Sequence, residues 1–516
     1  MADNPNFLVI CTDQLRADWL GCMGHPVVRT PHIDNLAAKG AKFTNFHVAS
    51  PVCMPNRAAM MTGRMPSACG ARTNGRPLPL NATTFVDVLA KAGYDTALIG
   101  KSHLQPFTTV PPYRAASGNP LIADAWAPDD ADYGKEQPDR YAGSERYAFD
   151  APYYGFRHVD MVTSHGDRAG GHYAQWFRTQ HPDWQDLHDE ANELPHSYTC
   201  PQAYRTPIPE ELYPTAYVGN QAADWISTRS ADAPFFAFVS FGDPHHPFNP
   251  PGRYWDMYDP DDFAVDLPYE AHNNPTPPMR YLSDRFTAGQ GPETPQSAFR
   301  ASKRHVQEVM ALTAGMITLI DDQVGRILTA LEQSGLSDNT VVVFTSDHGD
   351  YLGDFNMILK GAVPMRGITR VPMIWSEPDA KPVEVAAMAS TIDLSASVLA
   401  RAGLDPYHGI QGRSFLPALN GAPHRKQVFV EYNDALARLG FDTPARVRSI
   451  TSPDWRLTTY GGENWGELYD LRSDPHETKN LWDDPDYSEQ KSALSLALIE
   501  EMTAAMDESP PPTLLA

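Results

Sequence analysis

Residues 6–14 read NFLVICTDQ, an unbroken apolar run that stops abruptly at Asp13-Gln14. A run this short suits a strand covered on both faces, as in a parallel sheet, and is too short to span a membrane. Three more stretches repeat the pattern. Residues 96–99 run into GKSH, which carries Lys101 and His103. Residues 235–241 run into GDPHHP, with His245 and His246, and residues 341–345 into SDHGD, with Asp347 and His348. Helical segments alternate with these strands: 31–39, after Thr30 as candidate N-cap and with Pro31 at the first helical position; 84–91; and 309–331. The alternation predicts an α/β sandwich around a large, mostly parallel sheet. Ligands bind at the carboxyl ends of strands in such sheets, so the four polar ends are expected to converge on one crevice.

Two stretches, about 107–214 and about 250–297, have weak periodicity and are rich in Pro, Tyr, Trp, Asp and His. Long irregular segments in a compact domain are usually functional loops, and both are expected to cover the crevice. After about residue 422 the pattern changes again. Residues 427–432, 446–451, 455–460 and 467–471 read as short antiparallel strands and 489–506 as a helix, followed by the tail SPPPTLLA. The expected division is a catalytic α/β domain over 1–421 and a small C-terminal α+β subdomain over 422–516.

A hydrophobic content of 42% and a charged content of 20% fit a globular protein. The formal charge of -23 argues against nucleic acid or an anionic membrane as partner. An anionic substrate would have to be met by locally gathered positive charge. The five cysteines, Cys11, Cys22, Cys53, Cys69 and Cys200, are an odd and sparse set that argues against a disulfide framework. No basic region precedes the first apolar run, which is therefore read as a strand and not a signal peptide, and a cytoplasmic location is the default expectation.

Each polar cluster also has a plainer reading. Asp13 could shape a turn, His245-His246 could belong to a rigid proline-flanked loop, Lys101 could be solvated, and Asp347-His348 could cap a helix. These readings leave unexplained why all four clusters follow strands. Cys53 could be a small buried hydrophobe, or a thiolate nucleophile with a partner histidine.

Cys53-Met54-Pro55-Asn56-Arg57, with Thr62-Gly63-Arg64 downstream, resembles the C-x-P-x-R signature at which a sulfatase cysteine is oxidised to formylglycine. NFLVICTDQLRADWLGCMGHPVVRTPHIDNLAAKG is similar to the opening of type I sulfatases, SDHGDYLGD followed by Lys360 and RVPMIW to their second metal segment, and GELYDLRSDPHETKNLW to their C-terminal signature. Together these stretches span most of the chain in the family's order. The resemblance implies the alkaline-phosphatase-like sandwich. Gln14, His348 and Asn74 resemble the phosphonate monoester hydrolase and choline sulfatase branch, whereas Lys101 and His103 match the ordinary sulfatase pattern. That departure favours sulfate monoesters, with phosphonate monoester or phosphodiester hydrolysis as the alternative.

The resemblance further implies one divalent cation held by Asp13, Gln14, Asp347 and His348 together with the oxidised Cys53. The oxygen donors suit calcium, and an imidazole tilts the choice toward manganese. A hydroxyl of the hydrated formylglycine would attack sulfur, with Arg57 holding that group. Lys101, Lys360 and Asn74 would contact the sulfate oxygens. His245, with Lys360 sharing the task, would protonate the leaving alcohol, and His103 would take a proton from the second hydroxyl to release sulfate. The implied partners are a small sulfate ester, the formylglycine-generating machinery acting on Cys53, and further copies of the chain in a homo-oligomer.

Overall fold

The computed structural model describes residues 4–110 and 130–514. Part of the first predicted cover, 111–129, and the end of the tail lie outside the described residues. A nine-stranded sheet forms the centre. Five of its strands lie side by side and all parallel: Thr340–Ser346, Asn6–Thr12, Phe235–Ser240, Asp95–Gly100 and His158–Thr163. Met373–Ser376 runs antiparallel against the first of these and continues the sheet to Ala41–Phe43 and Val383–Val385.

Side chains alternate across a strand, and both faces here are covered, which accounts for the unbroken apolar runs. Leu8, Ile10, Ala237, Val239 and Phe344 point into one core with the helices Lys303–Gln333, Pro214–Ser227 and Pro31–Ala37. Phe7, Val9, Phe236, Phe238 and Val343 point into the other, beneath Cys53–Thr62, Phe85–Lys91 and Asp393–Arg401. Each fully buried large apolar side chain contributes about 1.5–3 kcal/mol relative to an exposed one.

The expected helix at 31–39 forms as Pro31–Ala37, but the Thr30 side chain makes no cap bond to it. The backbone N–H groups of His32 and Ile33 instead donate to the Asp321 carboxylate on the long helix, at 3.1 and 2.8 Å. The cap thus comes from across the fold, which a local reading cannot foresee. The covers also differ from expectation. The stretch 107–214 is not wholly irregular: it supplies the sheet strand His158–Thr163 and the helix His172–Gln180, while 250–297 contains the helix Pro277–Thr287. Near the C-terminus, Val428–Asn433, Arg446–Thr451, Trp455–Tyr460 and Gly466–Asp470 form an antiparallel four-stranded sheet, and the helix Ser488–Ala504 packs on it.

Candidate active site

Because five adjacent strands are parallel, their carboxyl ends lie on one edge of the sheet. They deliver, in spatial order, Asp347 and His348, Asp13 and Gln14, His245 and His246, Lys101 and His103, and His165. The helix Cys53–Thr62 begins at the same edge and all ten of its residues are buried. Cys53 and Arg57 are four residues apart and so share one face of it. Pro55 falls in the first turn, where the missing N–H costs nothing.

The helix face closes on the strand ends through a buried ion-pair cluster. Arg57 Nε donates to Asp347 Oδ2 at 2.6 Å, and its Nη1 donates to the Lys101 carbonyl at 2.9 Å and to Ser240 Oγ at 2.8 Å. Lys101 Nζ donates to Asp13 Oδ2 and lies 2.6 Å from His165 Nε2. Burial alone would raise the Asp13 pKa, but Lys101, with Arg57, holds its carboxyl well below the usual range. Burial, with Asp13 next, pushes the Cys53 thiol up to about 12. An ordinary thiolate nucleophile is therefore disfavoured at neutral pH.

Cys53 Sγ is 3.0 Å from His348 Nε2 and 3.7 Å from Asp13 Oδ1. His348 Nδ1 faces the Gly349 carbonyl at 2.9 Å and must carry the ring proton there. Its Nε2 lone pair is then turned toward Asp13 Oδ1 at 3.4 Å and Asp347 Oδ1 at 3.6 Å. Burial holds the His348 pKa down at about 4, so the ring stays neutral. Two carboxylate oxygens and an imidazole lone pair thus face one another, with the Cys53 thiol beside them. The donor atoms of Asp13, Cys53, Asp347 and His348 all lie within 4.8 Å of one another. This set fits a divalent ion.

Gln14, in the left-handed region at φ 66°, sits beside that set. Its amide is engaged elsewhere: Oε1 accepts from Lys360 Nζ at 2.5 Å and Nε2 donates to Asp350 Oδ2 at 2.6 Å. Lys360 Nζ also lies 3.0 Å from His245 Nε2. His245 Nδ1 meets the His246 carbonyl at 2.7 Å, so Nδ1 carries the hydrogen and Nε2 accepts from Lys360. Burial, then the neighbouring His165 and His246, keeps His245 neutral. His246 is the nearer of the two to Gln14, with Nδ1 3.4 Å from Nε2 of the amide. His25 does not reach the crevice and packs on Trp19, ring centres 4.7 Å apart. Asn74 is exposed and accepts from the Met54 backbone N–H at 3.2 Å, beside Cys53 at the helix start.

His103 also has a positive φ of 56°. Its ring lies 4.2 Å from Phe107, and its Nδ1 is buried without a hydrogen-bond partner among the described residues. The loop is held by Glu136, a buried carboxylate that accepts the backbone N–H groups of His103, Leu104 and Gln105 at 2.9–3.0 Å and the Tyr153 hydroxyl at 2.6 Å.

The sequence reading passed over His165 and Glu136. His165 stacks on His245 with ring centres 3.5 Å apart and planes 9° apart. A signal existed: HVDMVT followed by SHGD repeats the apolar-run-to-polar-end pattern of the other four strands.

A family model described as sulfatase matches residues 5–404, and one described as N-sulphoglucosamine sulphohydrolase, C-terminal, matches residues 365–504. An arylsulfatase of Clostridium perfringens is 27% identical over 504 residues, covering 96% of this chain and 94% of its own. An uncharacterized sulfatase of Escherichia coli, YidJ, is 28% identical over 507 residues, covering 98% of this chain and 88% of its own. The crystal structure of the phosphonate monoester hydrolase of Agrobacterium radiobacter matches with a TM-score of 0.77 at 24% identity, covering 99% of this chain and 98% of that one, a likeness of fold.

Proposed function

This chain belongs to the sulfatase family, and from that premise we propose that it cleaves sulfate monoesters, of the kind an arylsulfatase takes, through residue 53 in its formylglycine form. The observation that carries the reading is the seat of Cys53, 3.0 Å from the His348 lone pair at a four-donor cluster, with Arg57, Lys101 and Lys360 around it. Asp13, Asp347 and His348 would hold the divalent ion, joined by Gln14 once Lys360 leaves its amide for the sulfate. The ion and the hydrated aldehyde would together supply an acidified hydroxyl as nucleophile toward sulfur.

The chain's own groups account for the rest. Arg57, anchored by Asp347, the Lys101 carbonyl and Ser240, has a free Nη2 directed toward Asp13 at 3.7 Å, which leaves it able to fix the residue-53 side chain. Lys101 and Lys360, both buried, provide donors for the sulfate oxygens, with Asn74 at the exposed rim. His245 Nε2 takes a proton from Lys360 and passes it to the leaving alcohol, so the pair acts as one relay. His103 accepts the proton whose loss releases sulfate. His165, between Lys101 and His245, keeps both in place.

The division into a catalytic unit of 1–421 and a C-terminal unit of 422–516 is supported by the separate antiparallel sheet. A stripe of Leu496, Ile499, Met502 and Met506 is exposed on and just past the last helix and suits burial against another copy, in line with a homo-oligomer. No helix among the described residues is long and apolar enough to cross a membrane. The five cysteines are all free, which suits the reducing cytoplasm.

The test is turnover of p-nitrophenyl sulfate by protein from a host with formylglycine-generating machinery, before and after a chelator. Activity that falls with chelation and returns with manganese or calcium supports the reading. Activity indifferent to metal, or seen on p-nitrophenyl phenylphosphonate and absent on the sulfate, contradicts it.

A further inference from the structure

A cavity of about 420 Å³ lies apart from Cys53, and none of the crevice residues described above lines it. Its volume is that of a small-molecule site. One wall is apolar and aromatic. Trp19 and Phe263 are stacked there, ring centres 5.8 Å apart and planes 1° apart, with Met310 and Leu352 nearby. The other wall carries Arg16, Arg366 and Arg370.

These arginines are not equivalent. Arg16 is neutralised by Asp18 at 2.8 Å and Asp354 at 2.9 Å. Arg366 and Arg370 stand one helical turn apart, and neither makes an ion pair among the described residues. Arg370 Nη1 donates to the Thr44 carbonyl at 3.1 Å, and no side-chain hydrogen bond is made by Arg366 among the described residues. Burial, then the Arg366 charge, holds Arg370 down at about 10. Glu477, the carboxylate beside them, is occupied by Arg456 and the Arg366 backbone N–H. Asp262 and Asp266 stand exposed on the Phe263 side of the cavity.

A second observation points the same way. Arg366 also lines a smaller adjoining space of about 70 Å³ with His47, which is 3% exposed and has a buried Nδ1 with no hydrogen-bond partner among the described residues. The orphan imidazole nitrogen raises the free energy of the folded chain unless something satisfies it, and the two half-buried arginines beside it carry like charge.

We propose that this cavity is a second ligand site, for a small organic anion whose sulfonate, sulfate or carboxylate head lies between Arg366 and Arg370 and whose apolar body lies on Trp19 and Phe263. The guanidinium fork suits such a head. The arginine turn packs directly on the metal segment: Gly349 N donates to the Ile368 carbonyl at 3.1 Å, and a Cβ at Gly367 would lie 3.0 Å from the Asp350 carbonyl. An occupied site therefore steadies the backbone that carries Asp347 and His348. The inference does not depend on the reading of Cys53.

The experiment is isothermal titration calorimetry with 2-naphthalenesulfonate, which has no ester to cleave, on the intact wild type and on Arg366→Ala, Arg366→Gln and Lys101→Ala. The site predicts binding that survives Lys101→Ala and weakens at least about tenfold in both Arg366 variants. It also predicts that the sulfonate raises the wild-type melting temperature but not that of the Arg366 variants, whose sulfonate-free turnover is unchanged. Binding that persists in both Arg366 variants overturns the proposal, as does binding lost with Lys101→Ala, which places the sulfonate in the catalytic crevice. No binding to the wild type at millimolar sulfonate overturns it equally.

Discussion

Arg57 and Arg456 are both about 1% exposed and both lie between two carboxylates. Around Arg456, in the C-terminal sheet, the network is complete. Its guanidinium reaches Glu477, Glu467 at 3.0 Å and Thr458 at 2.8 Å, while the Tyr460 and Tyr469 hydroxyls donate to Glu467 at 2.8 and 3.2 Å. Around Arg57 it is not. Nη2 of Arg57, Nδ1 of His103 and Nε2 of His246 have no hydrogen-bond partner among the described residues, and the His348 lone pair faces two carboxylates. Buried polar groups are nearly always satisfied, so unsatisfied ones gathered in one crevice mark where a ligand completes the set. The same ionic chemistry builds structure in one region and a site in the other.

Substitutions should separate the two regions. Cys53→Ala is expected to lower kcat/KM on p-nitrophenyl sulfate by at least about 10⁴-fold, since it removes the proposed nucleophile, with the melting temperature nearly unchanged. Full activity in that variant would sink the role of residue 53. Arg456→Met should do the reverse. It strands Glu467 and Glu477 and costs about 3–5 kcal/mol in urea unfolding, while turnover per folded molecule stays intact. If turnover per folded molecule falls as stability does, the contrast between the regions fails.

His245→Ala should slow sulfate esters with poor leaving groups by about 10²-fold or more and p-nitrophenyl sulfate far less. Equal losses on both substrates would remove His245 from the proton relay. Smallest is Glu136→Gln, which disturbs the loop holding His103 without touching substrate. A loss of about tenfold in kcat with KM little changed is expected, and Glu136→Asp should recover part of it. An unaltered kcat would leave Glu136 a purely structural carboxylate.

Much of this arrangement is legible in the sequence because strand and site coincide. An apolar run buried on both faces must end in polar residues at the sheet's edge, and four such ends were visible at Asp13, Lys101, His245 and Asp347. The fifth was hidden because HVDMVT alternates His158 and Asp160 with apolar residues and sits within a stretch rich in polar and aromatic residues. Glu136 was hidden because its role, taking three backbone N–H groups of a distant loop, leaves no periodic trace. Asp321 capping the Pro31–Ala37 helix is the same case: a partner 288 residues away in sequence carries no local signal. Gln14 is assigned to the cation by family resemblance, but the choice between cation and Lys360 is set by three-dimensional neighbours that spacing does not report.

The most direct measurement is mass spectrometry of the proteolytic peptide carrying Cys53, from protein made in its own host or in one with a formylglycine-generating system. The account predicts a peptide lighter by the difference between a cysteine thiol and an aldehyde, and reactive toward a hydrazine. Only unmodified cysteine in protein that still turns over sulfate esters would contradict it.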